Sequence, residues 1–146
     1  MLVETDLRVA IPHHRLRTAF ANVPTWLAHL VAPAVAEALG STHPDPSHGL
    51  REPSNRLRDA ISCDVGSAQV AIEEIMVPMQ WHFDLASEAF PPVVDVELRS
   101  AEASHEWSRL SLRATYECPS APGQDDMQRA VGIAANAYLV AVATWL

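Results

Sequence analysis

Residues 130–146 read AVGIAANAYLVAVATWL, seventeen consecutive residues without a charge. A segment of this kind crosses a membrane, meets a partner, or is enclosed by the rest of its own chain. As a span it is short, because about 20 apolar residues are needed to cross the hydrocarbon layer of a bilayer. It is also rich in Ala, interrupted by Asn136 and without flanking basic residues to orient it. A helix that is apolar on all sides is a buried helix. The preceding chain must therefore offer an apolar face to cover it, and small residues at Gly132, Ala134, Ala135 and Ala137 allow that face to come close.

The face is legible in a series of stretches with period-two alternation, the signature of half-buried strands. In VETDLRVAI, Val3, Leu7, Val9 and Ile11 fall on one side and Glu4, Asp6 and Arg8 on the other, and Pro12 ends the run. AISCDVG, VAIEEIMVPMQWHFDL, PPVVDVELRS and WSRLSLRATYECP alternate in the same way. Val77, Met79, Trp81, Phe83 and Leu85 oppose Pro78, Gln80, His82 and Asp84. In the last stretch Leu110, Leu112, Ala114, Tyr116 and Cys118 oppose Arg109, Ser111, Arg113, Thr115 and Glu117. Antiparallel strands with one wet face produce this pattern. Val70 to Leu85 is too long for one regular strand, so a bulge or break is expected near Pro78 or within Ile72–Met76.

Between the first strand and the others, His13–Phe20 has the spacing of a short helix with Leu16, Ala19 and Phe20 inside and Arg15 and Arg17 outside. TWLAHLVAPAVAEALG follows, with Thr25 as N-cap, an apolar stripe through Leu27, Leu30, Val31, Ala34, Val35 and Ala38, and Gly40 as the closing residue. Pro33 is expected to kink or split it. Residues 41–55, STHPDPSHGLREPSN, read as a surface loop of the kind that borders a mouth or lid. Gly123 and Asp125–Asp126 start the final helix, the two carboxylates facing the positive end of its dipole.

Composition excludes several functions. The 146 residues fit one ordinary domain, and 49% hydrophobic residues suffice for a packed core. A formal charge of −8, with no dense basic run, speaks against DNA or RNA. All ten basic residues are Arg, so no mechanism that needs a Lys amine is available. The Ala-rich, Arg-only composition points to a GC-rich bacterial genome. MLVETDLRVAIP lacks a basic n-region and an unbroken apolar stretch, so no export signal is expected and the cytoplasm is favoured. Cys63 and Cys118 are read as reduced, partly buried thiols.

No nucleophile elbow, phosphate loop or CxxC pair occurs. His13–His14 point in different directions on a helix, and His43, Asp45 and His48 do not have a standard zinc spacing. Neither a metal nor a cofactor is expected. His29 is the histidine expected to face inward. Glu73–Glu74 has two readings. One carboxylate projects into the sheet's inner side as a general base with a raised pKa, or a bulge turns both outward. Asp95 and Glu97 are expected to be solvated, meeting Arg109 and Arg113 across strands in a surface ladder of small energy.

A strand, two helices, several antiparallel strands and a long final helix form an α+β order. The order, the VPMQW stretch, the acidic strand VVDVELRS, SRLSLRATYECP with its following Gly123, and the terminal apolar helix together resemble the SRPBCC, or START-like, helix-grip superfamily, over essentially the whole chain, 1–146. The resemblance implies a curved antiparallel sheet wrapped around the C-terminal helix, with a cavity between them for a lipid, polyketide, hormone, quinone or other apolar molecule. In some members that molecule is also cyclised or hydroxylated. The long 41–55 loop and a final helix that stops at Leu146 depart from some members and bear on the cavity mouth.

Independently of the family, Trp26, Leu30, Trp81, Phe83, Tyr116 and Tyr138 lie in phase with the apolar faces of their elements. They form an ordinary core or the lining of a ligand pocket, in which Tyr116 and Tyr138 would carry hydroxyls into apolar space. Asn136 orients a ligand or makes a local hydrogen bond. Two functions follow: a binding module for a small hydrophobic molecule, with or without cyclase-like activity, or a non-enzymatic interaction protein that forms a homodimer through the apolar helix surface.

Overall fold

The computed structural model describes residues 1–42, 57–84, 90–118 and 123–146. Strand β1 (Leu2–Val9) is followed by helices α1 (His13–Ala19) and α2 (Trp26–Thr42). Then come β2 (Ile61–Val65), β3 (Gln69–Val70), β4 (Glu74–Phe83), β5 (Val93–Glu102), β6 (Ser108–Thr115) and a 22-residue helix, α3 (Gln124–Trp145). The strands form one curved antiparallel sheet in the order β1-β6-β5-β4-β2, with β3 pairing with β4 beside β2. Helices α2 and α3 pack against each other, α3 lies along β1 and β6, and α2 covers β2. This is a helix-grip α+β fold.

The alternation in the sequence maps directly onto the two faces of the sheet. Ile75, Val77, Met79, Trp81 and Phe83 of β4 point to the helices and are buried, as are Val94, Val96 and Leu98 of β5 and Leu110, Leu112 and Ala114 of β6. From α3, Val131, Ala134, Ala135, Tyr138, Leu139 and Val142 meet them in one continuous core. The terminal helix is not enclosed on every side, however. Asn136, Val140, Thr144 and Trp145 are exposed, because the sheet and α2 together cover only part of its circumference.

The long alternating stretch breaks at its N-terminal half and not at Pro78. A tight turn closed by the Ala71 amide donating to the Glu74 carbonyl (2.8 Å) separates β3 from β4. Arg17 of α1 donates to the carbonyls of Ala71 (3.3 Å) and Ile72 and so ties this turn to the helix. Both glutamates consequently leave the interior, Glu73 at the turn and Glu74 on the outer face, and neither is an internal base. Pro78 continues in β4 because it sits opposite the gap between β2 and β3, where a missing amide interrupts nothing. There the Gly66 amide donates to the Pro78 carbonyl at 2.8 Å. A Cβ on Gly66 would lie 3.0 Å from Pro78 Cγ and 3.4 Å from its carbonyl oxygen. A proline ring cannot swing away, so Gly66→Ala is expected to destabilise the protein by about 1–3 kcal/mol in urea unfolding.

Helix α2 is not split at Pro33, and it continues past Gly40, the expected closing residue, to Thr42. The lost amide of Pro33 faces the carbonyl of His29, whose residue is exposed, so water can replace the missing partner. His29 therefore points outward, and among the described residues His13 is the buried histidine, its Nε2 lying 3.2 Å from the Ser100 carbonyl oxygen and 3.3 Å from Ser100 Oγ. The expected loop 41–55 lies, from residue 43 onward, outside the described residues, and so do His43, Asp45 and His48.

Candidate functional site

Strand register places a row of side chains across the inner face of the sheet. Cys63 faces Trp81, and Trp81 faces Val94. The pairing of Asp95 with Thr115 puts Tyr116 beside Val94. Tyr116 in turn exchanges backbone hydrogen bonds with Met1, 3.0 Å from its amide and 2.6 Å to its carbonyl. Trp81 and Tyr116 are thus two strands apart, about 10 Å by strand spacing. Tyr138 descends from α3 onto this row, its ring meeting Trp81 edge-on with centroids 5.2 Å apart. Phe83 meets Trp81 at 6.4 Å and Phe90 at 4.1 Å, which extends the aromatic cluster toward one end of the sheet.

The polar atoms of the cluster differ in how they are satisfied. Tyr138 donates to the Leu27 carbonyl at 3.1 Å, joining α3 to the first turn of α2. The Trp81 indole N–H points at Met79 Sδ, 3.3 Å away. The Tyr116 hydroxyl is sealed from solvent, in a residue only 3% exposed, and has no hydrogen-bond partner among the described residues. A buried polar group left without a partner costs about 1–3 kcal/mol.

Burial holds every ionisable group of this row in its neutral form. It pushes the Cys63 thiol up to about 12, with Asp64 adding to the effect. It raises the Tyr138 hydroxyl well above its ordinary value, Cys63 contributing, and raises the Tyr116 hydroxyl, Cys118 contributing. The row can donate hydrogen bonds at neutral pH, but none of these three groups is a base or a thiolate nucleophile there. For an acid whose folded pKa lies above its unfolded value, the folded state keeps a proton that the unfolded state has released. Stability is then complete below the unfolded pKa and is lost as pH rises toward the folded one. The melting temperature is therefore expected to fall between about pH 9 and pH 12, and Cys63→Ser is expected to flatten that fall.

The other residues singled out from sequence lie elsewhere. Trp26 is half-buried and belongs to a surface stack, 4.2 Å from Trp145 and 5.7 Å from Phe20 in nearly parallel planes. Its indole N–H donates to the Ala19 carbonyl at 2.9 Å and finishes α1. Leu30 packs at the margin of the core. Asn136 is exposed on the side of α3 that runs along β1, where Thr5 Oγ1 lies 3.4 Å from its Oδ1, so it makes a local contact. Trp81, Phe83, Tyr116 and Tyr138 remain on the inner face. Sequence reading passed over their neighbours Cys63, Val94 and Phe90. Cys63 and Val94 were in phase in AISCDVG and VVDVELRS, but period alone does not say which strands become neighbours.

An open groove of about 520 Å³ crosses the outer face between Glu4, Asp6, Glu74, Arg99, Arg109 and Arg113. Its charges are already paired. Arg99 bridges Glu74 (3.1 Å) and Glu97 (2.8 Å), Arg113 meets Glu4 (3.2 Å), and Arg109 meets Asp6. The expected ladder thus exists with different partners, since Arg109 and Arg113 turn to β1 and Asp95 accepts from Gln80 at 2.9 Å. His82 pairs with Asp64 at 3.1 Å across strands. These pairs are exposed and contribute little stability.

The sheet order, the two helices after the first strand and the long final helix against the inner face are those of a helix-grip α+β fold. No protein-family model and no curated protein sequence matches the chain. Among solved structures it is similar to the Zhui aromatase/cyclase from Streptomyces sp. R1128, with 14% identity over 99% of this chain and 92% of that one and a TM-score of 0.44. It is similar to the di-domain aromatase/cyclase BexL of the BE-7585A biosynthetic pathway, with 12% identity over 99% of this chain and 45% of that one, at 0.45. Ara h 8.0201 gives 11% identity over 99% and 96%, also at 0.45. No helix among the described residues is long and apolar enough to cross a membrane.

Proposed function

We propose that the protein binds a small hydrophobic molecule of lipid, polyketide or aromatic type between the sheet and α3, and that the Tyr116 hydroxyl is its polar contact. The observation that carries this reading is the orphaned hydroxyl itself. Apolar sites gain orientation from a few polar groups, and a donor held in dry surroundings rejects molecules that cannot pair with it. The ligand class is therefore an apolar molecule bearing a carbonyl, hydroxyl or ether oxygen. The aromatic edges of Trp81, Phe83 and Phe90 favour a flat ring beside that oxygen. Because Tyr116, Tyr138 and Cys63 are all held neutral, the row supports binding, and any cyclase-like step would use it to donate hydrogen bonds to a substrate oxygen and not to abstract a proton.

The test is a native mass spectrum of the protein purified gently from its producing cells, repeated after incubation with oxygen-bearing aromatic and fatty compounds. A retained small molecule that leaves on mild denaturation is the expected result. The bare polypeptide mass in every sample contradicts the reading and favours the interaction protein, for which the exposed Val140 (47%) and Trp145 (57%) on α3 provide an apolar surface.

A further inference from the structure

Strand β1 is the end of the sheet, and its outer edge is eight residues long. Met1 and Tyr116 exchange both of their backbone hydrogen bonds. In an antiparallel ladder such exchanging pairs recur at every second residue. Val3, Thr5, Leu7 and Val9 therefore direct their amides and carbonyls to β6, while Leu2, Glu4, Asp6 and Arg8 direct theirs outward. Those outward groups have no backbone partner among the described residues. An edge of this length is a template for another strand unless its side chains forbid it.

The side chains select one partner. Arg8 stands opposite Arg109 on the outer face and has no ion pair among the described residues, whereas Arg109 and Arg113 are each matched with an acid on β1. We infer that β1 pairs antiparallel with β1 of a second copy, Asp6 facing Asp6, so that the two sheets continue into one. In this register Glu4 of each copy faces Arg8 of the other, and every pair joined by hydrogen bonds has an even number in both chains, as the outward groups require. The row across the junction then alternates in sign from Glu97 through Arg113 and Glu4 to the second copy's Arg8. Each Asp6 at the centre is already neutralised by Arg109.

Neighbouring registers are poorer. Centring on Thr5 puts Glu4 opposite Asp6 twice and Arg8 opposite Leu2, so it has two like-charge pairs in place of one and forms no pair between Arg8 and an acid. Centring on Leu7 pairs Asp6 with Arg8 but shortens the overlap from Val3–Val9 to Thr5–Val9, which withdraws Val3 and Glu4. On the helix side the chosen register sets Val3 against Val9 and Thr5 against Leu7. The exposed Val140 stands one helical turn beyond Asn136, which touches Thr5. The dimer thus uses a sheet edge, independent of any molecule inside.

Sedimentation equilibrium of the full chain across a wide concentration range tests this. The expected result is a reversible species of twice 15.9 kDa whose association weakens with salt. Arg8→Glu, which places two acids opposite each other, is expected to weaken it about tenfold or more. Arg8→Pro, which removes one outward amide and leaves the β6 ladder intact, is expected to abolish it. Circular dichroism and melting of both variants show that the monomer fold persists. A monomer mass at every concentration overturns the inference, and so does a dimer that neither substitution weakens.

Discussion

Trp81→Ala is expected to lower the unfolding free energy by about 3–5 kcal/mol, a large part of the stability of a domain this size. Trp81 is fully buried at the middle of the inner row, flanked by Cys63 and Val94 on neighbouring strands, by Phe83 along its own strand and by Tyr138 from above. Alanine there leaves a cavity bounded by strands on both sides and a helix on top, elements that cannot collapse into it. Urea unfolding followed by tyrosine fluorescence and circular dichroism measures the loss. A change below about 1 kcal/mol would mean that the neighbours repack and that the row is not a rigid wall.

Tyr138 gives the second large effect, and two substitutions separate its parts. Tyr138→Phe removes the hydrogen bond to Leu27 and is expected to cost about 1 kcal/mol, since that carbonyl also belongs to the first turn of α2. Tyr138→Ala removes the ring as well and is expected to cost about 3–5 kcal/mol. Because the ring meets Trp81 edge-on at 5.2 Å, the double variant Trp81→Ala/Tyr138→Ala is expected to be less destabilised than the sum of the two. The difference is about 0.5–1.5 kcal/mol, the worth of such a ring pair. Strict additivity in the cycle would place the two rings in separate parts of the core.

How far the sequence discloses this molecule depends on the kind of information each feature needs. Inner and outer faces follow from period two, so Trp81, Phe83, Leu110 and Leu112 were readable as core from their neighbours alone. The final helix was readable because a charge-free run needs cover, but Val140 and Trp145 were not readable as exposed. Their exposure depends on how wide a cover the sheet and α2 provide. Pro33 and Pro78 misled for different reasons. At Pro78 the adjacent strands leave a gap, so no amide is missed, whereas at Pro33 a helical amide is lost but the His29 residue it would have served is exposed to water. The histidines show the limit most clearly, since nothing local distinguishes His29 from His13, and only the packing of α1 beside β5 buries the latter against Ser100.

The candidate site followed the same division. Tyr116 and Tyr138 were recognisable as hydroxyl carriers on apolar faces, yet their opposite fates were not. Tyr138 finds the Leu27 carbonyl across 111 residues of sequence, and Tyr116 finds no partner among the described residues. Asn136 attracted notice as the lone amide of an apolar run, and its position at the β1 edge gives it a neighbour in Thr5, away from the inner row.

The binding proposal rests on the orphaned Tyr116 hydroxyl, and Tyr116→Phe tests it with little change in shape. The decisive measurement is the unfolding free energy of wild type and Tyr116→Phe, each without and with the small molecule recovered from the native protein. The account predicts that the ligand-free variant is as stable as wild type or more stable, by up to about 1–3 kcal/mol, because a dry, unpartnered hydroxyl has been removed. It also predicts that the stabilisation conferred by the ligand shrinks in the variant. A ligand-free variant that loses about 1 kcal/mol or more, with ligand stabilisation unchanged, would show that the hydroxyl already has a partner within the fold and would contradict the account.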